Sequence, residues 1–405
     1  MSNPAAWVRW LNGVRTGAAT ESEPFSAELP DRALANKEIE VCGLGRVSMN
    51  NDFDLPITVK AAAERQWQRW IKRQSRSPVD RDHALALVFQ ARRAGSAELR
   101  AALDRAAREP AARSSDTCDV GSSCWNAAME AAERAAARFD EGLVRLATST
   151  KDAAAYALAV AHCRGVARGD AKGPCALLSV ERWAQLDPDN GAPWLFILDA
   201  ALARKDSAAR DEALHRVAQS RRIAYASDDL FRGVHDLIAG LSTPQEWLAV
   251  SVDAMGIWAA LPFPGYLSLM QACSPKETTD MNRRVVCAQV AQVLLANERN
   301  LLGHSIAVRI AENAGLSVDR VRALKDETDA LRAITADVSG GASMFSCDWV
   351  DGMKNWTMRV AAEGEVAAGR ALIAASGRST TDIAEDGRRR MRAAAAAGKA
   401  TPVGP

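Results

Sequence analysis

Leu186-Asp187-Pro188-Asp189-Asn190-Gly191-Ala192-Pro193-Trp194 closes one helical pattern and opens the next. Pro188 has no N–H with which to extend the helix before it, and its ring restricts Asp187 to extended backbone. Pro193 then stands where a first helical turn tolerates it. Trp194 offers a large flat surface for burial between successive helical hairpins.

Helical spacing continues outward in both directions. Upstream, residues 125–139, 152–163 and 175–186 are of helix length; downstream, 193–203, 207–219 and 228–238 follow. In the last of these Leu230, Phe231, Val234, Leu237 and Ile238 form an apolar stripe behind Ser227 as cap. Val286, Val290, Val293 and Leu294 repeat the pattern after Thr279, and Ser317 opens a helix two residues after Gly315 closes another. Connections this short make antiparallel neighbours. Composition agrees: 80 of 405 residues are Ala, against 26 Gly and 15 Pro, and Ala is the strongest helix former. The expected fold is all-α, a helical-hairpin array that is either an α-solenoid or a large bundle, preceded by an extended N-terminal arm.

The expected organisation has six parts. Residues 1–55 form the arm, with one short strand in Glu38 to Val47, where Ile39 and Val41 alternate. Residues 56–110 form a basic helical subdomain (helices 61–74, 79–93 and 96–109), and 111–124, without periodicity, a linker. Residues 125–335 carry the helical-repeat region, 336–352 an irregular segment, and 353–405 a C-terminal helix pair with a frayed tail.

The turn at 186–194 resembles the join between two tetratricopeptide repeats, where a helix ends in L-D-P-x-N and the next carries Trp at its fourth position. Lys205-Asp206 falls at the family's turn, and Asp211-Glu212-Ala213-Leu214 resembles its second-helix signature, three residues late. The resemblance spans about residues 152–220, and the 34-residue period does not recur cleanly outside it. It implies stacked helix pairs presenting an extended concave surface to a protein or peptide.

Near-balanced charge, with 51 Lys and Arg against 50 Asp and Glu, and 48% hydrophobic residues exclude wholesale disorder and supercharged tails. Arg9, Asn12 and Arg15 break the first twenty residues, so no signal peptide is visible. Trp247 to Met270 is apolar but holds Asp253, Pro262 and Pro264, which makes it a core segment and no membrane span.

Six of the eight cysteines fall in pairs across turns: Cys118 with Cys124, Cys163 with Cys175, Cys273 with Cys287. Cys42 and Cys347 are left to each other. Closing the short loops of the first three pairs contributes on the order of 3 kcal/mol each. Such bridges place the protein in an oxidising compartment, a periplasm or cell envelope; without them the missing signal points to the cytoplasm.

No catalytic, cofactor or metal site is expected. Gly43-Leu44-Gly45 lacks the third glycine and helix start of a dinucleotide loop. Gly303-His304-Ser305-Ile306-Ala307 looks like a nucleophile elbow, but helical spacing stands where the strand should be. His83, His162, His215, His235 and His304 are scattered, each on its own helix, as satisfied or surface histidines. Asp187 and Asp189 begin like a calcium loop, yet Leu198 occupies the twelfth position.

One surface stands out. Arg65, Arg69, Lys72, Arg73 and Arg76 share a helical face, with Trp67, Trp70 and Ile71 away from its centre. Residues 56–110 hold 12 basic and 6 acidic residues. The face is either solvated surface or a contact for phosphate, anionic lipid or an acidic protein. The reading that follows is a noncatalytic helical-repeat scaffold for a protein or peptide. Its rivals are an all-α enzyme with a site assembled from distant helices, and a binder of nucleic acid or anionic surfaces through residues 65–76. A nucleic-acid partner is not expected, and oligomeric state is left open.

Overall fold

The computed structural model describes residues 38–48, 57–108, 118, 122–166, 173–241, 243–259, 266–338 and 345–399. Gly43 and Gly45 take positive φ, of 76° and 75°, and so turn the expected single strand back on itself. The result is an antiparallel hairpin of β1 (Glu38–Val41) and β2 (Gly45–Ser48). The rest of the arm lies outside the described residues, as do most of the linker and the last residues of the tail.

Over the described residues the chain is 80% helical. It opens with α1 (Ile57–Gln74) and α2 (Asp80–Arg108). Sequence spacing splits the second of these at Gly95-Ser96, but the helix runs through. A Cβ at position 95 would stand 3.2 Å from the Ala132 carbonyl oxygen, so the glycine admits α3 (Ser123–Ala137) against α2. Next come α4 (Asp140–Ser149), which the spacing does not announce, and α5 (Ala153–Val166), both packed on α2. A 3₁₀ turn at Gly173–Leu177 precedes α6 (Val180–Leu186), because Ser179 caps a new helix by accepting from the Arg182 N–H.

The central hairpin is α7 (Ala192–Ala203) and α8 (Ser207–Gln219), capped by Asp206. Then α9 (Ala226–Ile238) starts after Tyr225, whose backbone N–H donates to the Asp228 carboxylate, with Ser227 inside the helix rather than its cap. α10 (Pro244–Ala259) lies over α1 and α9, and α11 (Tyr266–Ala272) sits against α7. Among the described residues no helix is long and apolar enough to cross a membrane. α12 (Met281–Asn297) packs on α8 and pairs with α13 (Leu301–Asn313), which pairs with α14 (Val318–Ala336).

The C-terminal pair is in fact three helices: α15 (Cys347–Glu363), α16 (Glu365–Ala375) and α17 (Thr380–Lys399). The expected irregular segment therefore ends at Ser346, which caps α15. α15 returns to α9, while α16 and α17 close on α14. One continuous core, from Val41 to Val350, joins the hairpins, with a satellite of Ala330, Ala333, Ile383 and Ala384 at the C-terminal end.

The turn at 186–194 is locked by contacts remote in sequence. Asn190 is 1% exposed; its amide nitrogen donates to Asp187 Oδ2 (3.0 Å) and the Ala224 carbonyl (2.9 Å). Its Oδ1 accepts from the backbone N–H of Ala192 and Ala224, both at 3.0 Å. Arg222 pairs with Asp187, and the Gly191 N–H donates to the Arg222 carbonyl (2.9 Å). The turn thus grips the segment between α8 and α9. Trp194 is half buried rather than enclosed. The Arg216 guanidinium of its own hairpin lies 5.5 Å over its ring, and the largest fully enclosed side chains of α7 are Leu195 and Leu198.

All four cysteine pairs lie at disulfide distance, with Cα separations of 4.6 Å (Cys42 and Cys347), 5.3 Å (Cys118 and Cys124), 5.6 Å (Cys163 and Cys175) and 5.7 Å (Cys273 and Cys287). Such pairs are compatible with an oxidising, extracytoplasmic location.

Candidate functional site

α1 places the basic residues as their spacing requires. Its inner stripe of Ala63, Trp67, Trp70 and Gln74 is buried, and Trp70 and Trp67 lie 5.0 and 5.5 Å from Phe89 between ring centroids. The opposite side presents Arg65, Arg69, Lys72 and Arg73 to solvent, whereas Arg76, expected on the same helical face, is exposed in the turn after the helix ends at Gln74. Glu64, the helix's one acidic residue, is engaged by Arg93 (2.5 Å), whose guanidinium lies over the Trp67 ring at 4.6 Å. The Arg93 contact holds the Glu64 carboxyl below its usual range.

A second cluster, not legible in the sequence, joins four helices. Tyr225 is the N-cap of α9, Tyr266 begins α11, and Glu298 and Asn300 occupy the connection between α12 and α13. Glu298 Oε2 lies 3.1 Å from the Tyr225 hydroxyl and 3.0 Å from that of Tyr266, and the two hydroxyls are 3.0 Å apart. Glu298 Oε1 accepts from the Arg299 N–H (3.2 Å), the Asn300 N–H (3.3 Å) and Asn300 Nδ2 (2.5 Å). A Cβ at Gly303 would collide with this carboxyl group, so the glycine that imitates an elbow motif makes room for Glu298.

Burial dominates the electrostatics of the cluster. It raises the Glu298 carboxyl to about 7, against the pull of Asn300 and the tyrosines, and raises both phenols well above their ordinary range. Burial also raises Asp228, which accepts from the Tyr225 N–H (3.1 Å). Glu298 is enclosed and its oxygens are occupied, so the cluster acts as a keystone between helices. The chain has three tyrosines, all buried, and this rarity is the one hint that sequence offers.

A pH effect follows. Glu298 has a folded value of about 7 against an ordinary 4.5, so the folded state favours its proton. The stabilisation is full below pH 4.5 and is lost as pH rises through 7, a change of about 3 kcal/mol. Denaturant unfolding of Glu298→Gln at pH 4.5 and 8 should lack that drop relative to wild type. Equal pH dependence in the two proteins would contradict the assignment.

The histidines do not converge. His162 is buried, with Nε2 2.8 Å from Asp140 Oδ1, and its neighbour Cys163 is paired with Cys175. His304 departs from the expected satisfied state: it is buried with neither ring nitrogen hydrogen-bonded, Glu327 Oε2 lies 3.9 Å away, and burial lowers its pKa. Ser305, the apparent nucleophile, donates to the Leu301 carbonyl within α13 and accepts from Arg332. Gly43-Leu44-Gly45 is the hairpin turn, and Asp187 is committed to Asn190 and Arg222. Among the described residues no group of three His, Cys, Asp or Glu side chains is arranged to hold a metal.

Fold and surface together define an all-α array of helical hairpins with four cysteine pairs. The chain matches no protein-family model, no curated protein and no solved structure.

Proposed function

We propose that this is a noncatalytic scaffold, a divergent tetratricopeptide-like array of the periplasm or cell envelope, that binds another protein or peptide. The observation that carries the reading is the exposure of large apolar side chains on segments that meet around Cys273. Leu267 and Met270 lie on α11, Met281 and Val285 on α12, and Leu316 and Val318 at the start of α14. Cys273 is paired with Cys287 of α12, and its carbonyl accepts from Asn313 Nδ2 at the end of α13 (3.0 Å). Solvent-facing apolar side chains gathered on adjoining elements mark contact surfaces. Four cysteine pairs support the compartment.

A photoreactive residue in place of Val285 or Val318, expressed in the native host, should give discrete protein adducts on irradiation. The same residue at exposed Glu141 of α4 should not. Identical adduct patterns at all three positions would remove the reading.

A further inference from the structure

We propose that the cationic face of α1 is a docking surface for a carboxylate-rich segment of another protein, which deepens the scaffold reading and rests on it. Arg65, Arg69, Lys72, Arg73 and Arg76 are all exposed; the first four form a row about 12 Å long on α1 at 1.5 Å per residue, and Arg76 stands in the turn just after it. No described carboxylate lies within ion-pair distance of any of them; Arg69 instead donates to Gln66 Oε1 (2.7 Å).

The arginine cluster near the C-terminal end behaves differently. On α17, Arg388, Arg389 and Arg390 all meet aspartates, at 2.9, 3.1 and 2.6 Å. An aligned row without counter-charges is what an external acidic partner complements.

The partner's chemistry follows from what the row lacks. Trp67, Trp70 and Ile71 are all turned inward and buried, so the exposed side offers no wedge for a bilayer and no ring on which a base can stack. Four of the five cations are arginines, whose planar fork grips carboxylate and phosphate alike, so the missing wedge and stacking rings are what favour an acidic protein segment. A helix bearing Glu or Asp every third or fourth position would set its carboxylates opposite the row at the same pitch.

The test is fluorescence anisotropy on the full chain at 50 mM NaCl, with a labelled peptide carrying Glu at every third or fourth position as the probe. Arg65→Gln/Arg69→Gln/Arg73→Gln should weaken binding at least ten-fold with an unchanged thermal melt, since exposed charges contribute little to folding. The scattered triple Lys151→Gln/Arg204→Gln/Lys276→Gln should stay within two-fold of wild type. Equal losses in the two triples, or no binding by wild type, overturn the proposal. So does tighter binding to phosphatidylglycerol vesicles or to a poly-uridine RNA that the first triple abolishes. Adducts at Val285 that persist in the first triple while the peptide result fails would leave the scaffold reading standing and remove only this one.

Discussion

Replacing Cys42 and Cys347 together by alanine should lower the unfolding free energy by about 6 kcal/mol. The bridge closes a loop of 305 residues. In the chain-entropy account the freedom removed from the unfolded state grows with the logarithm of loop length. Cys118→Ala/Cys124→Ala, which opens a loop with a separation of 6 residues, should lower it by about 2 kcal/mol on the same account. The long bridge also holds the β-hairpin to the helices. Beside it stand only the Cys42 N–H to the Phe345 carbonyl (2.8 Å) and Gln245 Nε2 to the Gly43 carbonyl (2.7 Å) among the described polar contacts. Denaturant unfolding of the unreduced variants measures both losses, and a loss below about 1 kcal/mol for the long bridge would contradict this account. Protein from the native host, denatured without reductant, should present no free thiol.

Asn190→Ala should destabilise the fold by about 4 kcal/mol. The side chain makes four hydrogen bonds in a buried turn, and its removal strands the Ala224 carbonyl and N–H, the Ala192 N–H and one oxygen of Asp187. Buried polar groups left without partners cost about 1 to 3 kcal/mol each, less whatever water can repair. Gly191→Ala in the same turn should also be costly, because its Cβ would stand 2.5 Å from Ile223 Cδ1 and 2.6 Å from Ser220 Oγ. Equilibrium denaturation checks both. A loss under 1 kcal/mol for Asn190→Ala would mean that the turn is held by its backbone alone.

Where a rule acts over a few residues, reading and structure agree closely. Residues 207–219 are a helix at both ends as expected, because Asp206 caps it and apolar residues recur at helical spacing. The basic row of α1 lies opposite its tryptophans because 3.6-residue periodicity puts it there. Three cysteine pairs flank turns, and the fourth follows from what remains. Disagreement begins where a helix boundary depends on a neighbour. α2 continues through Gly95 because α3 packs against that glycine, and α4 goes unannounced although His162 of α5 leans on its Asp140.

Local backbone chemistry and helical period suffice for an all-α chain of short-linked hairpins, the stop at Pro188 and the outward row of cations, and the spacing of the cysteines across turns suffices for their pairing. Packing of distant helices is what makes Asn190 grip a segment 34 residues away, turns Trp194 toward its own hairpin, and buries Glu298 between Tyr225 and Tyr266. Those contacts join residues separated by tens of positions, and their energies come from desolvation and hydrogen-bond geometry that exist only once the helices have packed.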